Sequence, residues 1–213
     1  MKHFKIKICG ITRPQDAKQA CRLGTDFIGL IFYKKSPRLV SLTRAKEIVK
    51  EIDPTVAIVG VFVDQTADEM LGIATKLNLN FIQLHGHESV KVIHQLKSYK
   101  FKVINVVNII KKSDYEALKS SKADLLMIDN QTTVLKGGTG QQFDWSLRPK
   151  FKIKNLALSG GLNEKNLSEG IRIFQPLLVD INSGVESRPG IKSKKKLISF
   201  FEKANRLRYG QNK

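Results

Sequence analysis

The stretch Phe4-Lys5-Ile6-Lys7-Ile8-Cys9-Gly10-Ile11 decides how the rest of the chain is read. Phe4, Ile6 and Ile8 alternate with Lys5, Lys7 and Cys9, the period of a strand whose two faces meet different surroundings. If the apolar set packs against helices, Lys7 and Cys9 face the interior. Seven further apolar, β-branched runs follow: DFIGLIF from Asp26, VAIVGVFV from Val56, FIQLHG from Phe81, KVINVVN from Lys102, LLMID from Leu125, NLALSG from Asn155 and LLVDINSG from Leu177. Segments of helical period separate them, among them PQDAKQACRL, TRAKEIVKEI, ADEMLGIATKL, ESVKVIHQLK, DYEALKSS, EKNLSEGIRIF and a terminal IKSKKKLISFFEKANRL. Eight strands alternating with about eight helices is the pattern of stacked βα units. In 213 residues it matches a compact (β/α)8 TIM barrel, read as one domain over residues 1–213. An open doubly wound sheet is the main alternative. It would usually carry a glycine fingerprint after the first strand, where this chain has CGITRP.

Composition narrows the classes. Hydrophobic residues make up 41% and charged residues 26%, usage that excludes global disorder. No apolar run approaches the length of a membrane-spanning helix, and the N-terminus lacks the apolar core of a secretory signal, so a cytoplasmic protein with no membrane partner is expected. Cys9 and Cys21 are too few for a disulfide framework, which leaves both as thiols. The formal net charge is +18. Such a balance invites a nucleic-acid partner, yet the only dense lysine cluster is Lys192, Lys194, Lys195 and Lys196, at the start of a helix, with no nucleic-acid-binding motif beside it. The reading preferred is a solvated lysine-rich surface that speeds encounter with an anionic metabolite, without nucleic acid as a partner.

A barrel puts its chemistry at the C-terminal ends of its strands, and the unusual residues fall there. Cys9 ends the first strand, where a thiolate favoured by nearby Lys7 would serve as base or nucleophile; a small buried hydrophobe is the alternative role. Cys21, mid-helix among alanines, reads as structural. Asp129 ends the sixth strand on the face of Leu125 and Met127. A carboxyl group partly desolvated there is suited to donate a proton; otherwise it caps the loop Asn130 to Gly140, which closes in Gly137-Gly138-Thr139-Gly140. The seventh and eighth strands end in Ser159-Gly160-Gly161 and Asn182-Ser183-Gly184, the usual place for a phosphate in barrel enzymes that act on phosphorylated substrates. Arg38, after the second strand, offers a guanidinium that could grip a carboxylate bidentately. Gln83 and His85 share an inward face as neutral lining groups, and with Lys7 and Arg38 they are the candidate substrate contacts. His85 and His87 form an H-x-H pair, but the two project to opposite faces and no further cluster completes a metal site, so none is expected.

KICGIT, SPR, VGVFV, QLHG, the Asp129 loop ending in GGTG and FDW, LSGGL, and VDINSGVES followed by PG and Lys192 occur in that order from Lys7 to Lys192. In these motifs the chain resembles the phosphoribosylanthranilate isomerase family. The resemblance implies a (β/α)8 barrel and an Amadori rearrangement of a phosphoribosylated anthranilate in tryptophan biosynthesis, with a small phosphosugar as the partner and no cofactor. It further implies that Cys9 is the general base, Asp129 the general acid, Arg38 the contact for the anthranilate carboxylate, and Gly160, Gly161, Ser183 and Gly184 the phosphate contacts. Two small departures stand out: Asn182 occupies a place where the family more often has a smaller residue, and the fifth strand has no basic residue near Asn105. An epimerase or an indole-glycerol-phosphate synthase on the same barrel would want metal ligands or strand-end glutamates that this chain does not present. Monomer and homodimer remain equally open.

Overall fold

A computed structural model of the chain describes residues 4–129, 145–149 and 151–210. Eight strands form a closed barrel in sequence order: β1 (Lys5–Ile8), β2 (Phe27–Ile31), β3 (Ala57–Phe62), β4 (Phe81–Leu84), β5 (Lys102–Asn108), β6 (Leu125–Asp129), β7 (Leu156–Leu158) and β8 (Leu178–Ile181). All eight ladders are parallel, and β1 closes the ring against β8 with Lys7 opposite Asp180. The expected fold is therefore the one observed.

Period-2 alternation divides the strand residues between two cores. Ile6, Ile8, Ile28, Leu30, Ile82, Ile128 and Val179 point outward and pack with the helices. Phe27, Val59, Ile104, Val106, Met127, Ala157 and Leu178 fill the ring from inside, with Cys9, Ile31 and Val61 as a separate group nearer the C-terminal mouth. The helices are α1 (Pro14–Arg22), α2 (Leu42–Val49), α3 (Ala67–Leu77), α4 (Val90–Ser98), α5 (Glu116–Ser120), α6 (Leu167–Phe174) and α7 (Lys194–Tyr209). Local chemistry sets several ends. Pro14 opens α1, Ser41 and Ser193 accept N–H bonds at the starts of α2 and α7, and Thr66 with Glu69 closes a capping box on α3. Cys21, half-buried on α1, packs against the outer core as its structural reading requires.

Two details differ from expectation. The regular alternation weakens past β5: residues 112–115 form a 3-10 turn before the five-residue α5, and between β6 and β7 the described residues hold only a 3-10 turn, Trp145–Leu147. After β8 a short antiparallel pair, β9 (Glu186–Arg188) and β10 (Ile191–Lys192), precedes α7. Lys192 is thus no part of a solvated lysine cluster. Its ammonium is fully buried, because Glu186 on the facing strand and Asn182 accept its hydrogen bonds. Among the described residues no helix is long and apolar enough to cross a membrane. The Asn130 to Gly140 loop, with its GGTG, lies outside the described residues.

Candidate active site

The mouth of the barrel is built first by β1. Lys7 and Cys9 both face inward, and a lysine in that position needs a partner because an unpaired buried charge is costly. Asp180 on β8 supplies it: Lys7 Nζ donates to Asp180 Oδ2 at 2.9 Å, with the lysine side chain wholly buried. On the other flank β2 presents Gly29. A methyl group there would lie 2.8 Å from Cys9 Sγ and 3.1 Å from Lys7 Nζ, so the missing side chain is the space that the thiol and the ammonium share. Burial pushes the Cys9 thiol up from its ordinary value; the Lys7 ammonium beside it pulls the other way without reversing the rise, and the Asp180 charge adds to it. Burial also opposes the charge of Lys7, but Asp180 and Cys9 outweigh it and hold that amine above its ordinary range. The expectation that Lys7 favours a thiolate is right in sign, yet the resting thiol is protonated more firmly than a free cysteine.

Asp129 ends β6, three strands from β1 by the shorter way around the ring. Its side chain is 13% exposed, and His85 Nε2 lies 3.4 Å from its Oδ2. Gln83, buried one pleat below His85, reaches His85 Nδ1 with its Nε2 at 3.4 Å. A line of polar groups therefore runs from β4 to the carboxyl group on β6. His87 diverges: its imidazole is 85% exposed and faces Asp64 at 3.4 Å, so the two histidines do not converge. Among the described residues no three Cys, His, Asp or Glu side chains are grouped to hold a metal.

Arg38 corrects one expectation. It is neither a solvated loop charge nor an open bidentate fork, since Nε and Nη2 both bind Glu186, at 2.9 and 2.7 Å, in a pair almost wholly buried. Glu186 also accepts from Lys192 Nζ at 3.0 Å and from the Gly190 amide at 3.1 Å. Burial alone would raise its carboxyl group, but Arg38 and Lys192 outweigh that and hold it below the ordinary carboxylate value. For Lys192 burial prevails and lowers the amine, with Glu186 offsetting only part. A methyl group on Gly10 would meet Arg38 Cδ at 2.7 Å and Asn182 Oδ1 at 2.6 Å, which places this cluster directly beside Cys9. Nη1 of Arg38 is the arm that Glu186 leaves open. Asn182 is thereby accounted for, as the acceptor that shares Lys192 with Glu186.

The loops after β7 and β8 converge. A side chain at Gly184 would collide with the Leu162 carbonyl oxygen, so the two turns touch. Gly160 and Gly161 both take left-handed backbone, φ 83° and 70°, open to glycine at little cost. The Gly161 carbonyl is held by the side-chain amides of Asn163 and Asn166 at 3.1 and 3.0 Å, and α6 begins at the next residue, Leu167. With Ser183 and Gly184 at the start of a 3-10 turn, two chain reversals and a helix N-terminus gather at one edge of the mouth, a setting that favours an anion. The sequence reading missed Asp180, Glu186, Lys192 and Gly29. Asp180 alone left a signal, as an inward-facing charge in an apolar strand.

The chain matches the family model described as N-(5'phosphoribosyl)anthranilate (PRA) isomerase over residues 6–203. It is 38% identical to the N-(5'-phosphoribosyl)anthranilate isomerase of Nitrosococcus oceani across 92% of this chain and 95% of that one, and 36% identical to that of Thermotoga maritima across 95% and 99%. The crystal structure of the Thermotoga maritima phosphoribosyl anthranilate isomerase superposes with a TM-score of 0.87 at 35% identity, covering 95% of this chain and 98% of that one. Another crystal structure, of a phosphoribosyl anthranilate isomerase in complex with reduced 1-(o-carboxyphenylamino)-1-deoxyribulose 5-phosphate, gives a TM-score of 0.82 at 34% identity, covering 95% of this chain and 98% of that one.

Proposed function

The chain belongs to the N-(5'-phosphoribosyl)anthranilate isomerase family, and from that premise we propose that Cys9 is the base and Asp129 the acid of its Amadori rearrangement. The observation that carries this reading is placement: a thiol just past the end of β1 and a carboxyl group ending β6 both face the interior at the same end of one closed ring. Asp129 gives its proton to the furanose oxygen as the C1′–O bond breaks, and the anilino nitrogen lone pair becomes the C1′=N bond of a protonated Schiff base. That cation acidifies the C2′ proton. Cys9 removes it, the electrons form a C1′=C2′ enolamine, and protonation at C1′ with loss of the hydroxyl proton leaves the 2′-ketone. No net oxidation occurs, so the step balances with acid and base alone.

The elevated thiol fits this order. A proton is drawn off Cys9 most readily when the iminium charge joins the Lys7 ammonium beside it, and a thiolate of high pKa is the stronger base. Gly160, Gly161, Ser183 and Gly184 hold the 5′-phosphate, which anchors the sugar between the two groups. Nη1 of Arg38 takes one oxygen of the anthranilate carboxylate while Glu186 keeps the guanidinium oriented. Gln83 and His85 fix the Asp129 carboxyl group. In this reading residues 1–213 are one barrel domain that works on a small phosphosugar in the cytoplasm, where the thiol stays reduced.

The test is turnover, followed by the fluorescence of the anthranilate adduct, in Cys9→Ala and Asp129→Asn. Each is expected to lose about 10²- to 10⁴-fold in kcat with the fold retained by circular dichroism. A rate near that of the parent protein in either variant would overturn the corresponding role.

A further inference from the structure

We propose that the N-terminal end of the barrel carries a second binding site, for the phosphoryl dianion of a small metabolite or for free phosphate. A cavity of about 490 Å³ opens there, with Lys5, Phe27, Asn80, Phe81, Lys100 and Lys102 among its lining residues. Lys5, Phe27, Phe81 and Lys102 are the first residues of β1, β2, β4 and β5, so the cavity lies at the opposite end of the ring from Cys9 and Asp129. Its volume is in the range of small-molecule sites.

Three lysines, Lys5, Lys100 and Lys102, line this space, and none of the three is paired with a carboxylate among the described residues. Two are positioned by one aromatic pair. Lys5 Nζ lies 5.6 Å from the Phe27 ring centre and Lys102 Nζ 5.5 Å from that of Phe81, while the two rings meet edge to face at 5.3 Å. Cation–π contact holds an ammonium in place without neutralising it. The only acid lining the cavity among the described residues, Asp26, is already committed to the Ile6 amide at 2.8 Å and to Arg208. Asn80 accepts the Ile58 amide at its Oδ1, 2.7 Å, which orients Nδ2 as a neutral donor. Three uncompensated cations and an oriented amide around a space of this size suit a polyvalent oxyanion, because charge-assisted hydrogen bonds are its strongest contacts. A nucleic-acid backbone would need contacts spread well beyond one cavity. The site also gives part of the chain's excess positive charge a local use.

The experiment follows the backbone amides of Asn80, Lys100, Phe101 and Lys102 by NMR in ¹⁵N-labelled protein. Inorganic phosphate and ribose 5-phosphate are titrated separately, with sodium chloride adjusted to constant ionic strength. Saturable shifts at these amides, half-complete below about 1 mM, are expected. The Lys5→Gln/Lys102→Gln double variant should weaken them at least about tenfold, while ribose 5-phosphate shifts at Gly160 and Ser183 persist. Saturation by both probes supports recognition of the phosphoryl group itself; saturation by one identifies the source. Shifts that never saturate, that survive in the double variant and in Lys102→Glu, or that stay confined to Gly160 and Ser183 would overturn the site. So would displacement of both anions by a single-stranded oligonucleotide that binds more tightly than either.

Discussion

Lys7 and Asp180 face each other across the seam that closes the barrel, as register partners on β1 and β8, with Nζ 2.9 Å from Oδ2 and the lysine side chain fully buried. One pleat further along β1 stands Cys9, whose amide is held by the Ile181 carbonyl at 2.9 Å. The seam and the surroundings of the thiol are therefore one structure. A charge pair that fastens the first strand to the last also sets the field in which the sulfur titrates.

Removing one member of this pair should be costly and removing both much less so. Lys7→Met leaves Asp180 buried without its cation and is expected to lower unfolding stability by about 3–5 kcal/mol in urea titrations. Adding Asp180→Leu should return most of that loss, since an apolar pair of similar bulk replaces two desolvated ions. Turnover should not return with it, because the ammonium beside Cys9 is still absent. Full activity in the stable double variant would separate the seam from the chemistry.

The pH profile follows from the direction of the Cys9 shift. Burial holds the thiol protonated above its ordinary value, so the rate of Cys9 alkylation by iodoacetamide, which reads the thiolate directly, should keep rising with pH through the ordinary thiol region at about 8.5 and level off only beyond it. Lys7→Gln removes the contribution that lowers the thiol and should move this limb further to the alkaline side. A limb that stays in place in Lys7→Gln would show that the ammonium does not act on the sulfur.

Gly29→Ala tests the shared space. The added methyl group would lie 2.8 Å from Cys9 Sγ and 3.1 Å from both Lys7 Cε and Nζ. Overpacking of this kind costs about 1–3 kcal/mol, and displacement of the base should reduce kcat by about tenfold or more with little change in KM. A variant with unaltered kcat would mean that neither group moves, or that neither is needed.

Glu186 is expected to behave as an anchor. Glu186→Ala leaves Arg38 and Lys192 buried without their anion and should cost about 3–5 kcal/mol. Because its folded carboxyl group lies below the ordinary value, its contribution is fully present above the unfolded carboxylate pKa and is lost as pH falls through the folded one. The isosteric Glu186→Gln should therefore flatten the acid limb of stability against pH. In kinetics, a guanidinium free to swing should raise KM more than it lowers kcat.

The fold was legible because its signal is local and repeated. Alternation at Phe4–Cys9 and Leu125–Asp129 alone assigns Lys7, Cys9 and Asp129 to the inner face, and the spacing of eight such runs leaves few topologies. The electrostatic frame of the mouth was not legible. Arg38 and Glu186 are 148 positions apart, and Lys7 and Asp180 are 173 apart, so no window of sequence contains either pair. Lys192 misled through its neighbours: among Lys194, Lys195 and Lys196 it reads as one more solvated charge, although the β9–β10 turn carries it inward to Glu186. Gly29 carried no signal, since a glycine in a strand is interpretable only once the side chains filling its space are known.

The division of labour between Cys9 and Asp129 is tested most directly with substrate deuterated at C2′, followed in the parent protein, Cys9→Ala and Asp129→Asn. In the parent protein the label should be lost as product forms, with a primary isotope effect on the proton-abstraction step. Cys9→Ala should still open the ring, seen as interconversion of the substrate anomers faster than in buffer, while the C2′ deuterium stays in place. Asp129→Asn should accelerate neither event. Loss of the C2′ label from Cys9→Ala at the rate of the parent protein would contradict the account.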